Sequence, residues 1–270
     1  MMKRDTEADR TDHDKGKQEE QLMPLLEHLG ELRKRVIYIV IVLTIGLILG
    51  LTVAKPLYNW LMSQEPADTI SLNAFSLWDG IGMYMKIAFV IALIITLPFT
   101  VYQLWAFVKP GLQEHEQRST LKYVPFALIM FLAGLSFAYF VVFPLAFGFT
   151  RTIASHLNLE ETYGIVQYFT FMFSILIPIS LLFEIPLIIM FLTALRIVNP
   201  LRLRKMRRLA YFIMAAVGVM ITPPDLVSDI LVIVPLILLY ELSVLMSGFI
   251  YRKQLEKDAQ WAEGEAEPGV

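Results

Sequence analysis

The sequence predicts an all-α protein that crosses a membrane several times. Three observations carry that expectation. Of 270 residues, 56% are hydrophobic and only 18% charged, where a soluble domain carries about a quarter charged residues, and the mean hydropathy is +0.59. The apolar residues gather into six runs close to the length, about 20 residues, that a helix needs to cross a hydrocarbon core about 30 Å thick. The basic residues fall almost entirely on one side of those runs, the asymmetry that orients a polytopic membrane protein.

The elements follow in order. Residues 1–21 are polar and of mixed charge. They read as a disordered cytoplasmic tail and not as a cleavable signal, which would need an apolar run there. Leu22, Leu25, Leu26, Leu29 and Leu32 then recur at helical spacing, with Glu27, His28, Glu31, Arg33 and Lys34 on the other sides. That pattern predicts an amphipathic interfacial helix opening a membrane domain over 22–251, with Glu31 and Arg35 as an i, i+4 pair.

Spans are expected at about 36–54, 87–108, 123–150, 165–195, 209–223 and 228–251. The fifth and sixth are the short ones; at about 1.5 Å of rise per residue the fifth falls short of the core thickness. Between them stands Thr222-Pro223-Pro224-Asp225. Thr222 suits an N-cap, Pro223 the first helical position, and Asp225 the acidic place of a capping box. The longest outside segment, 55–85, has Pro56, Pro66, Trp60 and Trp78 and reads as a structured cap with interfacial aromatics. The tail 252–270 is acidic and expected to be disordered.

All 23 lysines and arginines except Lys55, Lys86 and Arg151 lie in 1–35, 109–122, 196–208 or beyond 251. Both termini are therefore expected in the cytoplasm. The run Leu201–Arg208 (LRLRKMRR) reads as a topology anchor that also meets anionic lipid. With 25 acidic residues and a pI near 6.1, no bulk positive charge points to nucleic acid.

Chemistry is sparse. The chain has no cysteine and four histidines, which leaves out thiolate sites and points to no metal and no cofactor. Ser174 and Ser180 have no histidine near them in the chain, and there is no HExxH, GxGxxG or phosphate loop, so the chain does not read as an enzyme. The loop KPGLQEHEQR (109–118) offers Glu114 and Glu116. Glu116 with Glu31 can form an acidic cytoplasmic patch for a cationic partner, since carboxylates pair bidentately with guanidinium groups; a solvated loop is the plainer alternative.

Glu184 is the sharpest single feature. It stands about 18 Å along a helix from Arg196, near mid-bilayer, where an ionised carboxylate costs about 3 kcal/mol or more. It is expected to face the bundle interior or a wet cavity, in a helix bent by Pro178 and Pro186. Glu241 in the last span carries the same argument more weakly. These two acids support one competing reading, a proton-coupled secondary transporter using Glu184.

HLGELRKR (His28–Arg35), LPFTVYQLWAFVKPGLQEHE (Leu97–Glu116), FAYFVVFPLAFGF (Phe137–Phe149), FEIP (Phe183–Pro186) and TPPD (Thr222–Asp225) stand in the order and spacing of the TatC family. The chain resembles that family, the multispanning receptor subunit of the twin-arginine, Sec-independent protein translocase, over roughly residues 22–251. The resemblance implies a six-helix, cupped-hand bundle with both termini cytoplasmic in an energy-coupling membrane such as the bacterial plasma membrane. It implies that the protein binds twin-arginine signal peptides and mediates export of folded proteins driven by protonmotive force. Expected partners are those peptides, TatA and possibly TatB, in a hetero-oligomeric complex. Carried over by motif, Glu31 and Glu116 are the expected contacts for the two arginines, with Arg33 and Phe107 in the same surface. Glu184 is the expected acid on the concave face and Asp225 the acid at the outer turn. Pro98 and Pro144, with Pro223 and Pro224 of TPPD, are expected to be architectural. The residues ahead of FEIP, Ile179-Ser180-Leu181-Leu182, lack the glycine often found there in the family.

Overall fold

A computed structural model describes the backbone of residues 5–109, 117, 121–223 and 226–266, with side chains from residue 30 onward except 257, 258 and those after 259. The helices, in chain order, are α1 (Asp5–Met62), α2 (Asp79–Val108), α3 (Tyr123–Phe137), α4 (Phe143–His156), α5 (Ile165–Leu182), α6 (Ile185–Ala194), α7 (Pro200–Lys205), α8 (Arg207–Ile221) and α9 (Leu226–Ala266). Among the described residues, five helical stretches are long and apolar enough to cross a membrane: Gly30–Met62, Asp79–Val108, Tyr123–His156, Ile165–Ala194 and Leu226–Glu256. The expected fifth span falls on α8, whose 15 residues reach only about 22 Å; the sixth, expected to be short as well, falls instead on the 31-residue stretch Leu226–Glu256. In both tails, where the composition suggests disorder, the described backbone continues as helix, from Asp5 in α1 and to Ala266 in α9.

Apolar composition makes α1 a helix, and two glycines decide how it packs. Thr44 and Thr52 return their hydroxyls to the carbonyls of Val40 and Leu49 at 2.8 and 2.7 Å, so neither is left without a partner in an apolar stretch. Gly46 and Gly50, one turn apart, lie on α2 at Ala92 and Ala88. A Cβ on Gly50 would stand 2.5 Å from the Ala88 carbonyl oxygen and one on Gly46 3.2 Å from the Ala92 Cα. The seam is the small-residue packing that lets two helix backbones approach without large side chains between them. Much of the rest of α1 is exposed: Ile48 at 60% and Val40 at 53%, for example.

One correction applies to an all-α description. Leu72–Asn73 (β1) pairs in parallel with Tyr163–Gly164 (β2), Leu72 opposite Tyr163 and Asn73 opposite Gly164. This two-residue ladder ties the 63–78 cap to the start of α5. A Cβ at Gly164 would displace the end of the Gln167 side chain and the Phe75 ring. Within the cap, Asp79 accepts the backbone N–H groups of Phe75 and Ser76 at 2.8 and 3.0 Å, while Leu77 and Trp78 are exposed.

Prolines set the irregularities of the middle spans. Pro144 has no N–H for the Phe140 carbonyl, and a wide π turn over Ala138–Val142 joins α3 to α4 just ahead of it. Pro186 likewise removes the donor for the Leu182 carbonyl, and α5 gives way to α6 across Phe183–Glu184. There the Glu184 N–H turns back to Leu181 at 3.1 Å. Pro98 lies inside α2.

The core is aromatic. Phe143 and Phe147 each meet the Tyr168 ring edge-on at 5.6 Å, and Phe169, Met172 and Phe173 are buried among them. These three pack inside the bundle. At the far end, α8 closes on α9 where Gly218 meets Ile233.

The capping expectation for Thr222 needs correcting. The last helix begins at Leu226, not Pro223, and Thr222 is the C-cap of α8. Pro223 precedes another proline, which disfavours helical backbone at that residue. The Thr222 hydroxyl donates to Asp229 Oδ1 at 2.6 Å, so it fastens the turn to α9 seven residues on. Pro224 and Asp225 lie outside the described residues.

Candidate functional site

Two neighbouring features on α2 make up the candidate site. The first is polar and lies where α1 passes the end of α2. Arg35, with its side chain 19% exposed, donates to the Glu31 carboxylate, to Gln103 Oε1 at 3.2 Å and to the Ala106 carbonyl at 3.0 Å. Each contact has a local cause. Glu31 stands one helical turn before Arg35. Ala106 would offer its carbonyl to the residue four positions on, which is Pro110 and has no N–H, so a side chain supplies the donor. Gln103 is 8% exposed and satisfies its buried amide oxygen through the same guanidinium.

The Glu31 carboxylate stays 38% exposed, within reach of a second cation. Arg33 is exposed and Phe107 half-buried, and Lys109 sits over the Trp105 ring at 5.6 Å. The expected partner acid, Glu116, lies outside the described residues, as does Glu114. The amphipathic leucines at 22–29 lie where no side chain is described.

The second feature is an apolar cavity of 470 Å³ between α2, α3 and the α5–α6 break. Leu97, Val101, Leu104, Phe131 and Leu187 line it, and Glu184 enters it. Glu184 is 6% exposed, and neither carboxyl oxygen has a hydrogen-bond partner among the described residues. The Pro186 break puts it there, by ending α5 so that residue 184 occupies the turn. Thr96, on the facing wall, is also buried, with no hydrogen-bond partner for its hydroxyl among the described residues. Glu184 is thus buried in a cavity whose other walls are almost all apolar.

The two features are continuous along α2. Trp105 lines the cavity and lies next to Ala106, while Thr96 is about 15 Å further along the helix. An extended apolar segment carrying a cation at one end has a place for each part.

A family model described as Sec-independent protein translocase protein (TatC) matches residues 27–235. The chain belongs to the TatC family. A TatC of Halalkalibacterium halodurans is 46% identical over 87% of this chain and 94% of its own length, and TatCy of Bacillus subtilis is 44% identical over 88% and 93%. TatC of Escherichia coli is 32% identical over 87% and 92%. A crystal structure titled as the twin arginine translocase receptor TatC superposes with a TM-score of 0.69 at 28% identity, covering 83% of this chain and 99% of that one. Like these TatC relatives in fold, the chain is a multi-pass membrane protein.

Two further acids complete the picture. Glu241 on α9 is not isolated: Arg207 donates to its Oε2 at 2.8 Å and Tyr211 to its Oε1. The lone-acid argument therefore holds for Glu184 and not for Glu241, because a basic residue at the start of α8 reaches across to it. Asp229, in the first turn of α9, carries the described contact at the α8–α9 turn. Sequence reasoning missed Gln103 and underrated Arg35. The available signal was a single amide in the apolar run VYQLWAFV and a proline four residues after Ala106.

Proposed function

We propose that this chain is the receptor and core subunit of a twin-arginine translocase, which binds the signal peptides of folded proteins and mediates their export on protonmotive force. The family match over residues 27–235 carries the reading, and the exposed Glu31 carboxylate beside an apolar cavity supports it physically. In this reading the chain makes six crossings, the short α8 being one, with both termini cytoplasmic. The concentration of basic residues in the expected inner segments supports that orientation.

One arginine of the signal peptide pairs with Glu31 and the other with Glu116. A guanidinium fork suits a carboxylate, and the partly dehydrated interface strengthens the pair. Arg35 positions Glu31 by holding one of its oxygens while Gln103 and Ala106 hold Arg35. Arg33 and Phe107 border the same surface, and the apolar stretch of the peptide lies along α2 toward Glu184. TatA, and a TatB where one exists, then joins the complex in the cytoplasmic membrane. The transporter alternative loses its footing with Glu241 paired to Arg207 and the family established.

Photocrosslinking in membrane vesicles tests the docking step. A twin-arginine precursor is expected to crosslink to probes beside Glu31 and Glu116, and to lose those crosslinks in a twin-lysine version or on charge reversal with Glu31→Lys and Glu116→Lys. Equal crosslinks for both precursors, or no effect of reversing both charges, would overturn it.

A further inference from the structure

Lys86 is a basic residue that neither the basic inner segments nor the receptor site accounts for. The run from Ile87 to Val108 carries no charge, and at about 33 Å it is long enough by itself for the hydrocarbon core. Lys86 therefore stands at the rim of that core, at the cap end of α2 and away from Glu31. A lysine there ordinarily sends its ammonium out to water along its flexible stem. Here the ammonium turns sideways and donates to Thr170 Oγ1 on α5. The Thr170 hydroxyl gives its own proton to the Val166 carbonyl at 2.5 Å, so it presents a lone pair to the lysine. Two further ammonium N–H groups stay available for an acceptor. No carboxylate pairs with Lys86 among the described residues.

A groove of 540 Å³ between α1, α2 and α5 adds an independent observation. Lys86 and Thr170 stand at its head, and Leu47, Phe89, Phe173 and Ile177 are its apolar walls. Both α2 and α5 run away from the cap, so Phe89 lies about one turn deeper than Lys86, and Ile177 about 10 Å deeper than Thr170. Ser174, also in the groove, spends its hydroxyl proton on the Phe171 carbonyl at 2.8 Å. Met85 and Phe89 are exposed at 42% and 43%, which leaves the groove open along its bilayer side. It shares no wall residue with the cavity that holds Glu184.

Charge and depth together select the occupant. A cation held by one neutral hydroxyl lacks its counter-charge, and at the rim of a bilayer the anion at hand is a lipid phosphate. The apolar walls descending from that cation suit an acyl chain joined to the same phosphate, whereas a soluble anion would leave them uncovered. We propose that this groove binds one phospholipid with an anionic headgroup, its phosphate on Lys86 and one acyl chain along Leu47, Phe89, Phe173 and Ile177. Thr170 holds the ammonium over the head of the groove, where it would otherwise swing toward water. The site is separate from Glu31 and Glu184, and stands whether or not the receptor reading does.

The test uses the full chain purified in a neutral detergent, with bound lipid counted by native mass spectrometry as phosphatidylglycerol, phosphatidylcholine or glycerol 3-phosphate is added. Three variants divide the proposal. Lys86→Met removes the ammonium, and Ser174→Phe fills the groove from an exposed position on α5 while leaving the lysine. Lys55→Met is the charge-matched control, at an exposed lysine outside the groove. The parent and the control are expected to take up one phosphatidylglycerol ahead of phosphatidylcholine. Lys86→Met and Ser174→Phe are each expected to need about five- to tenfold more phosphatidylglycerol for the same occupancy. Equal uptake by Lys86→Met and Lys55→Met would overturn the lysine as anchor in favour of diffuse charge attraction. Uptake by Ser174→Phe equal to that of the parent would overturn the groove as the seat of the acyl chain. Glycerol 3-phosphate held as well as the lipid, or a parent that takes up phosphatidylglycerol no better than phosphatidylcholine, would overturn the anionic lipid as occupant, the second result leaving the groove to a transmembrane helix of another chain.

Discussion

The Arg35 guanidinium donates to the Ala106 carbonyl at 3.0 Å, supplying the hydrogen bond that Pro110 cannot. One side chain thereby joins the middle of α1 to the end of α2 and holds Glu31 in place. Lysine at 35 keeps the charge, but it replaces two guanidinium nitrogens, one on Gln103 and the other on Glu31 and Ala106, with one point donor that lacks their fork geometry. Arg35→Lys is expected to lower stability by about 1–3 kcal/mol, read from thermal unfolding in detergent. Arg33→Lys, at an exposed position two residues away, is expected to stay within about 0.5 kcal/mol of the parent. Equal effects at the two positions would refute the bridging role of Arg35.

The glycine seam gives a sharper steric test. At Gly50 the atoms in the way belong to the Ala88 backbone, so neither helix can yield by changing a rotamer. Gly50→Ala is expected to cost about 1–3 kcal/mol as the helices are pushed apart. Gly148→Ala, where a Cβ meets nothing within 4 Å, should unfold no earlier than the parent. Heat-induced aggregation of the two variants in the same detergent makes the comparison.

The contrast between these sites shows what was legible beforehand. Long apolar runs pointed to five long helical stretches, because bilayer thickness constrains length, though Gly30–Met62 and Asp79–Val108 begin earlier than the expected 36–54 and 87–108, and Pro186 beside Glu184 announced the α5–α6 break, because a missing N–H acts locally. Which face of α1 packs was invisible: a run apolar on all sides has no moment to read, and Gly46 and Gly50 are identified as a seam only by Ala88 and Ala92 opposite them. Gln103 and Arg35 are 68 positions apart, so no local pattern links them. Thr222 was misplaced because Thr-Pro-Pro-Asp satisfies the residue preferences of an N-cap, while the second proline denies helical backbone to the first. Glu116 and Asp225 rest on motif resemblance alone.

Arg207, Glu241 and Tyr211 invite an energetic measurement. The Arg207 and Glu241 side chains are 41% and 28% exposed, and solvent screens such a pair. A double-mutant cycle with Arg207→Gln and Glu241→Gln is expected to return a coupling of about 0.2–1 kcal/mol. The coupling should shrink when salt is raised. A coupling of several kcal/mol that ignores salt would mean the pair is sealed from water, contrary to the exposure seen.

Glu184 separates stability from function. Its carboxyl is buried without a partner among the described residues, so removing it relieves a desolvation penalty. Leucine has similar bulk and matches the cavity walls. Glu184→Leu is therefore expected to raise the stability of the isolated chain by about 1–3 kcal/mol, and Glu184→Gln to change it little, because an amide has the same unmet need. Under the proposed function the order reverses in an export assay with a twin-arginine reporter: the leucine variant loses most transport, whereas glutamine, which still offers a donor and an acceptor to a visiting helix, retains more. An unstable leucine variant would show that the carboxyl already has a partner in the resting chain. A stable leucine variant with full export would leave the acid without the role proposed for it.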